Sequence, residues 1–117
     1  MLFRSRQRKD FGVILESFVF LELQTILKPN MEIKFWRTKD GGEVDFILLK
    51  DRNPIPIEVK ATIQASEIPL GLKRFLNRYP DVKSAYVING SLNHQIHLGK
   101  CLLQYLTFDQ FEKNFQV

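Results

Sequence analysis

Two short apolar stretches of this sequence carry charged residues at alternate positions, and this pattern most narrows what the chain can fold into. The stretches are residues 42–49, GEVDFILL, and residues 56–60, PIEVK. Because side chains in a strand alternate between its two faces, we expect Glu43, Asp45 and Ile47 to share one face of the first strand. Glu58 and Lys60 are expected to share one face of the second strand. A sheet that contains both strands has to place these charges against one another or in solvent.

The polar segment 50–54 between the two stretches predicts a turn, so that the strands pair as a hairpin. In a register whose paired residue numbers have an odd sum, Asp45 lies directly opposite Glu58 or opposite Lys60. Two carboxylates and an ammonium group would then lie close together. Carboxylate oxygens are the ligands that hard divalent cations prefer, and a nearby lysine can steady a metal-bound hydroxide.

Residues 12–28 predict a single helix, because their apolar side chains fall on one continuous arc when projected at about 100° per residue. The arc consists of Val13, Leu15, Val19, Phe20, Leu23, Ile26 and Leu27. Glu16 falls in the middle of this arc, where a carboxylate is costly unless a cation or a hydrogen-bond donor meets it. We therefore expect Glu16 to face the core and to converge with the charged residues of the two strands.

The whole sequence predicts the element order α-β-β-β-α-β-β-α. After the first helix come a strand at 31–38, a tight turn at 39–42, strands at 43–50 and 55–60, a helix from an N-cap at Ser66 to Tyr79, a strand at 84–88, a polar loop or ribbon at 93–100, a strand at 101–106 and a last helix capped by Thr107. The strand, helix and strand between 55 and 88 form a βαβ unit, whose two strands should be parallel. Phe35 and Trp36 are expected in the core rather than stacked on bases.

The positive charge of the chain is concentrated near its N-terminus. The net charge is +4, and Arg4, Arg6, Arg8 and Lys9 supply four of the 17 basic residues. Such a cluster can bind phosphates, although a solvated arm is the simpler interpretation. We assign residues 1–11 to a basic N-terminal arm and residues 12–117 to one domain, because a chain of this length builds a single core.

Composition excludes several classes of protein. One cysteine, Cys101, permits no internal disulfide and no zinc site made of cysteines. Apolar runs are too short to cross a bilayer, and no signal-peptide core follows the basic N-terminus. We therefore expect a cytoplasmic protein without a membrane partner.

The order of these motifs resembles the PD-(D/E)XK nuclease-like superfamily, which includes restriction endonucleases and archaeal Holliday junction resolvases. In that pattern Glu lies on the first helix, Asp on the second strand and Glu-x-Lys on the third. A closer resemblance is to the domain of unknown function that follows the ATPase module in many prokaryotic AAA+ ATPases. It is carried by residues 12–20, GVILESFVF, 35–38, FWRT, 43–46, EVDF, and 56–60, PIEVK.

The resemblance implies a restriction-endonuclease-like αβββαβ core, with helices on both faces of a mixed α/β sheet. It implies that Asp45, Glu58 and the Val59 carbonyl bind Mg²⁺ or Mn²⁺. Lys60 would position or help to deprotonate the attacking water, and Glu16 would act through water or a second ion. The reaction would be hydrolysis of a nucleic-acid phosphodiester, with DNA favoured and a homodimer as one arrangement. The residues offered as nucleic-acid contacts are Arg4, Arg6, Arg8, Lys9, Lys73 and Arg74.

Two other interpretations of the sequence stay open. In the first, the chain is a non-catalytic module that binds DNA or docks on an AAA+ ATPase module, in the same chain or another, and the acids are a relic. In the second, the chain is a structural fragment of a larger protein, with an exposed apolar patch around Phe108, Phe111 and Phe115.

Overall fold

The computed structural model describes the backbone of residues 2–115 and the side chains of residues 10–115. Three helices and six strands follow one another within residues 2–115. They are α1 (Leu2–Ile26), β1 (Met31–Arg37), β2 (Glu43–Lys50), β3 (Asn53–Val59), α2 (Leu70–Arg78), β4 (Ser84–Asn89), β5 (His94–Leu98), β6 (Cys101–Thr107) and α3 (Phe108–Asn114). No helix in this described part is long and apolar enough to cross a bilayer.

The strands form one mixed sheet in the order β1-β2-β3-β4-β6-β5. The first three strands are antiparallel neighbours, whereas β3–β4 and β4–β6 pair in parallel. The prediction of a mixed sheet with a parallel βαβ unit is therefore confirmed. The segment 93–100, predicted as a loop or ribbon, contains β5, which pairs antiparallel with β6 at the edge of the sheet.

Helices cover both faces of the sheet, as expected. On one face, Leu15, Val19 and Leu23 of α1 pack with Phe111 of α3 on the sheet. On the other face, α2 contributes Leu72 and Phe75 to a second buried cluster. Each sheet face thus has its own core, and the acids Asp45 and Glu58 lie between the two cores, near the start of β2 and the end of β3.

Helix α1 differs from the prediction at its start and along one side of its apolar arc. It begins at Leu2 rather than near residue 12, because Gly12 weakens a helix without ending it and the preceding Arg, Gln and Lys residues are good helix formers. The side chains of Arg4, Arg6, Arg8 and Lys9 lie outside the described residues. Val13 and Leu27 are 62% and 39% exposed, so the buried arc is narrower than predicted.

The caps of the two later helices show one wrong and one confirmed prediction. Helix α2 begins after Pro69, without a side-chain cap, so Ser66 does not cap it. Proline already has the backbone φ of a helical first turn, and this favours a start at that residue. Thr107 caps α3 as predicted, with its hydroxyl oxygen accepting from the Gln110 backbone N–H at 3.4 Å.

Close packing of α2 on the sheet depends on Gly71. A methyl group at this position would lie 1.8 Å from the carbonyl oxygen of Glu43, so α2 can approach β2 only where a side chain is missing. We expect Gly71→Ala to lower the free energy of unfolding by about 1–3 kcal/mol, as overpacking does, measured by urea denaturation. Gly12→Ala is the matched control, because a methyl group there would contact only Ala61 at 4.0 Å. That variant should gain about 0.5–1 kcal/mol, and equal effects at the two sites would contradict the prediction.

Candidate active site

The pairing of β2 with β3 brings the two predicted acids together. The register has an odd sum, with Leu48 opposite Ile55 and Phe46 opposite Ile57. The next position along the hairpin sets Asp45 opposite Glu58, one of the two pairings that the sequence allowed. Here side-chain oxygens take the place of backbone carbonyls: the Asp45 N–H donates to Glu58 Oε1 at 3.0 Å, and the Val59 N–H donates to Asp45 Oδ2 at 2.7 Å.

A β-bulge in β2 sets the direction of Asp45. Lys34 pairs with Ile47 and Trp36 pairs with Val44. Between these pairs β2 contains two residues, whereas β1 contains one. Val44 and Ile47 consequently lie in the same buried cluster, against α2. The expectation that Glu43 and Ile47 share a face is therefore wrong, because the bulge reverses the alternation between them.

Glu58 is one of two buried polar residues among those described, at 5% exposure. Burial is the main cause that raises the pKa of its carboxyl group to about 9, and the hydrogen bond and negative charge of Asp45 act in the same direction. The Lys60 ammonium opposes this rise. Glu58 is therefore protonated at neutral pH.

Glu16 lies near this pair, but it does not face the core as predicted. The residue is exposed, one position beyond the buried Leu15. The pKa of its carboxyl group is raised, first by partial burial and then by the charges of Asp45 and Glu43. The buried face of α1 ends at Leu23, about 20° before Glu16 around the helix, so Glu16 lies just outside this face. Glu16 flanks the acidic pair from the α1 side.

Lys60 follows directly after β3 and is exposed. Its backbone N–H donates to the Ile88 carbonyl at 2.9 Å, which keeps the chain beside β4 beyond the end of the strand. Its positive charge opposes the rise in the pKa of Glu58. The structure thus brings Asp45 and Glu58 together, with Lys60 two residues after Glu58 in the chain and Glu16 on the α1 side.

The donor set fits a hard cation such as Mg²⁺. Asp45 and Glu58 each use one oxygen for a backbone N–H, Oδ2 and Oε1 respectively, which fixes both carboxyl groups. Within residues 10–115 there is no group of three or more His, Cys, Asp or Glu side chains that could hold a metal by themselves. Mg²⁺ is commonly bound by one or two carboxylates, with waters and substrate phosphates as its other ligands, so two carboxylates and the Val59 carbonyl suffice.

The two basic residues predicted on α2 lie in different places. Arg74 Nη1 is 3.5 Å from Asp40 Oδ2, at the β1–β2 turn that leads to Asp45. Lys73 is exposed and lines a surface cavity beside the β5–β6 hairpin, together with Cys101. Of these two residues, Arg74 is therefore the one that contacts the turn leading into β2, the strand that carries Asp45.

Two residues of β1, Arg37 and Phe35, were not predicted as site residues from the sequence. Arg37 forms an ion pair with Glu43, 3.1 Å from Nη2 to Oε2. Phe35 lies opposite the bulge and is 71% exposed, against the expectation of a core residue. Trp36 is half-buried against Phe75, as expected for a core aromatic.

Comparison with known proteins places most of the chain in one family. A family model described as "Domain of unknown function (DUF4143)" matches residues 11–107. Domains of this family are known to follow ATPase modules of the AAA type. No curated protein matches the sequence.

Proposed function

The chain belongs to the DUF4143 family of domains of unknown function, and from this premise we propose that it is a Mg²⁺-dependent hydrolase of phosphodiester bonds in DNA. The observation that carries the proposal is the exchange of hydrogen bonds between Asp45 and Glu58 at the end of the β2–β3 ladder. Two buried or half-buried acids held in this way are costly for a purely structural sheet. They are useful to a site that binds a cation.

Each residue of the site has a distinct role in this proposal. Asp45, Glu58 and the Val59 carbonyl would hold Mg²⁺ or Mn²⁺, which when bound would stabilise negative charge on the phosphate oxygens. Lys60 orients the attacking water with its exposed ammonium group and favours loss of the water's proton. Glu16 accepts a hydrogen bond from a water on the α1 side of the site.

The assignment to the PD-(D/E)XK superfamily is part of the proposal. It is supported by the element order α1-β1-β2-β3-α2-β4, by the acids on α1, β2 and β3, and by Lys60 two residues after Glu58. The fold alone would not support the activity, because one fold serves many functions. The side chains of Asp45 and Glu58 and their hydrogen bonds are what supports the proposed activity.

A second candidate function is docking on an ATPase module, and exposed apolar residues favour it. Helix α1 exposes Val13, Ile14, Phe18 and Leu21. A shallow groove between α1 and α3 continues this surface and is lined by Phe18 and Phe108. The patch predicted on α3 is wrong in its position, because Phe111 is completely buried and anchors α3. The two functions are compatible, since the acids lie at the end of the sheet.

Calorimetric titration of Mn²⁺ and Mg²⁺ tests the proposed cation site. Near pH 7.5 we expect wild-type protein to release about one proton per Mn²⁺ bound, because Glu58 must ionise to become a ligand. The proton count is read from the dependence of the binding heat on the ionisation enthalpy of the buffer. Glu58→Gln should lose both metal binding and proton release.

Asp81→Asn is the control for this titration. Asp81 is an exposed acid paired with Lys100, 3.2 Å from Oδ1 to Nζ, and it precedes β4 at the opposite end of the sheet. Its variant should bind metal as the wild type does. Metal binding that survives Glu58→Gln, or that both variants lose equally, would contradict the proposed site.

A further inference from the structure

Phe35 presents an aromatic ring to solvent on β1, the strand next to the one that carries Asp45. At 71% exposure, it is more exposed than any other large apolar side chain among residues 10–115. The bulge explains this position, because Phe35 is the β1 residue that faces the two β2 residues Asp45 and Phe46. The backbones of neighbouring strands are about 4.8 Å apart, so Phe35 lies one strand away from Asp45.

The ring of Phe35 is supported from one side only. Its centroid lies 6.0 Å from that of Phe46, which in turn stacks on Phe20 of α1 at 5.8 Å and an interplanar angle of 19°. Phe46 is buried and belongs to the core under α1. The three rings thus form a row that starts at α1 and ends at the edge of the sheet. A ring that is already held in place loses little rotamer freedom when a flat ligand covers it.

One cationic group of β1 lies on the same face as this ring. Arg37 follows Phe35 by two residues and is paired with Glu43 at 3.1 Å, whereas Lys34, paired with Glu32 at 2.9 Å, lies on the opposite face. The side chains of Arg37 and Glu43 are both more than half exposed, and an exposed pair of this kind contributes little stability. Arg37 can therefore exchange its partner for a phosphate at low cost. An apolar ring beside such a cation is complementary to a nucleotide, which combines a flat base with a phosphate.

Base pairing decides which nucleotide can use this position. In duplex DNA each base is covered on both faces by its neighbours, so a side chain at the surface cannot stack on it. In single-stranded DNA the faces are accessible, and aromatic side chains bind them without a strong sequence preference.

We propose that Phe35 is a stacking position for an unpaired base next to the bond that is cleaved. The substrate class of the site is then single-stranded or locally unpaired DNA rather than intact duplex. This inference rests on the proposed function, because it takes the acidic pair as the place where the DNA backbone is held.

Binding measurements on three DNA ligands test this assignment with the full chain. The ligands are a labelled thymidine oligonucleotide of about 12 nucleotides, the same backbone with abasic residues, and a blunt duplex of equal length. Fluorescence anisotropy in EDTA measures the affinity for each ligand without cleavage. The variants are Phe35→Leu, which removes the aromatic face, and Phe35→Trp, which restores it. Leu21→Ala, on the exposed face of α1, is the control for loss of an exposed apolar side chain.

We expect Phe35→Leu to weaken binding of the thymidine strand about tenfold. The same variant should change binding of the abasic strand and of the duplex by less than about twofold, since neither offers a free base. Phe35→Trp and Leu21→Ala should bind the thymidine strand like the wild type.

Other outcomes overturn the assignment. Equal binding of the thymidine strand by wild type and Phe35→Leu excludes stacking, as does an equal loss for the abasic strand. Wild-type preference for duplex, or a change of oligomeric state in Phe35→Leu, would assign the ring to another contact. If the calorimetric titration fails while Phe35-dependent binding is found, the hydrolase proposal falls and the stacking position remains. If the protein cleaves DNA and Phe35→Leu changes neither binding nor cleavage, the stacking position falls and the hydrolase proposal remains.

Discussion

Asp45→Asn is expected to reduce cleavage of DNA by about 10³-fold or more, while the protein stays folded. The loss corresponds to about 4 kcal/mol of transition-state stabilisation, which is the scale found when a group that stabilises developing charge is removed. The fold should survive because the asparagine side-chain oxygen can still accept the hydrogen bond that Asp45 Oδ2 receives from the Val59 N–H. What the variant loses is the negative charge that would bind the cation.

Initial rates on a single-stranded substrate at saturating Mg²⁺ measure this effect, with circular dichroism as the check of folding. Asp81→Asn again serves as control, because it removes one negative charge from an exposed position at the other end of the sheet. Its rate should equal that of the wild type. A rate for Asp45→Asn within about tenfold of the wild type would exclude Asp45 as a metal ligand.

Glu58→Gln is expected to stabilise the metal-free protein, and to do so increasingly as the pH rises. The folded-state pKa of Glu58 is about 9, above its value of 4.5 in the absence of the fold. A carboxyl group with a raised pKa contributes its full stability below the unfolded value, and this stability is lost as the pH rises from about 4.5 towards 9. Glutamine resembles the protonated acid in shape and retains an oxygen that can accept from the Asp45 N–H. It has no proton to lose.

The difference in unfolding free energy between Glu58→Gln and wild type should therefore be close to zero at pH 4.5 and on the order of 2–4 kcal/mol at pH 8.5. Urea denaturation in EDTA at several pH values measures it. Glu67→Gln is a suitable control, because Glu67 is exposed in the loop before α2. A difference that does not change with pH would show that Glu58 is not protonated in the folded protein. Saturating Mn²⁺ should stabilise the wild type but not the variant.

The sequence was sufficient for the mixed sheet, and it limited the partner of Asp45 to Glu58 or Lys60. The turn decides between them, because it has only two residues, Asp51 and Arg52, both with positive φ, and leaves Lys50 paired with Asn53. The parallel βαβ unit follows from general rules of connection. These features depend on local patterns that span few residues.

The sequence was not sufficient where a position depends on a neighbouring strand or on a small rotation. The bulge at Asp45 arises from the match between β1 and β2, and the residues of β2 alone do not reveal it. Glu16 was misplaced because only about half of the apolar arc, from Leu15 to Leu23, is buried, and Glu16 lies in the other half.

The hydrogen bonds between Asp45 and Glu58 also bear on how such a domain evolves. Both bonds use an oxygen that an amide would supply equally well. Above the ordinary titration range of glutamate, the folded protein with Glu58 is less stable than it would be with glutamine. A lineage without need of the cation could exchange glutamate for glutamine by a single nucleotide substitution and gain stability. Drift and selection for stability therefore act in the same direction, away from the acid. The presence of Glu58 in this chain is what continued use of the site would leave behind.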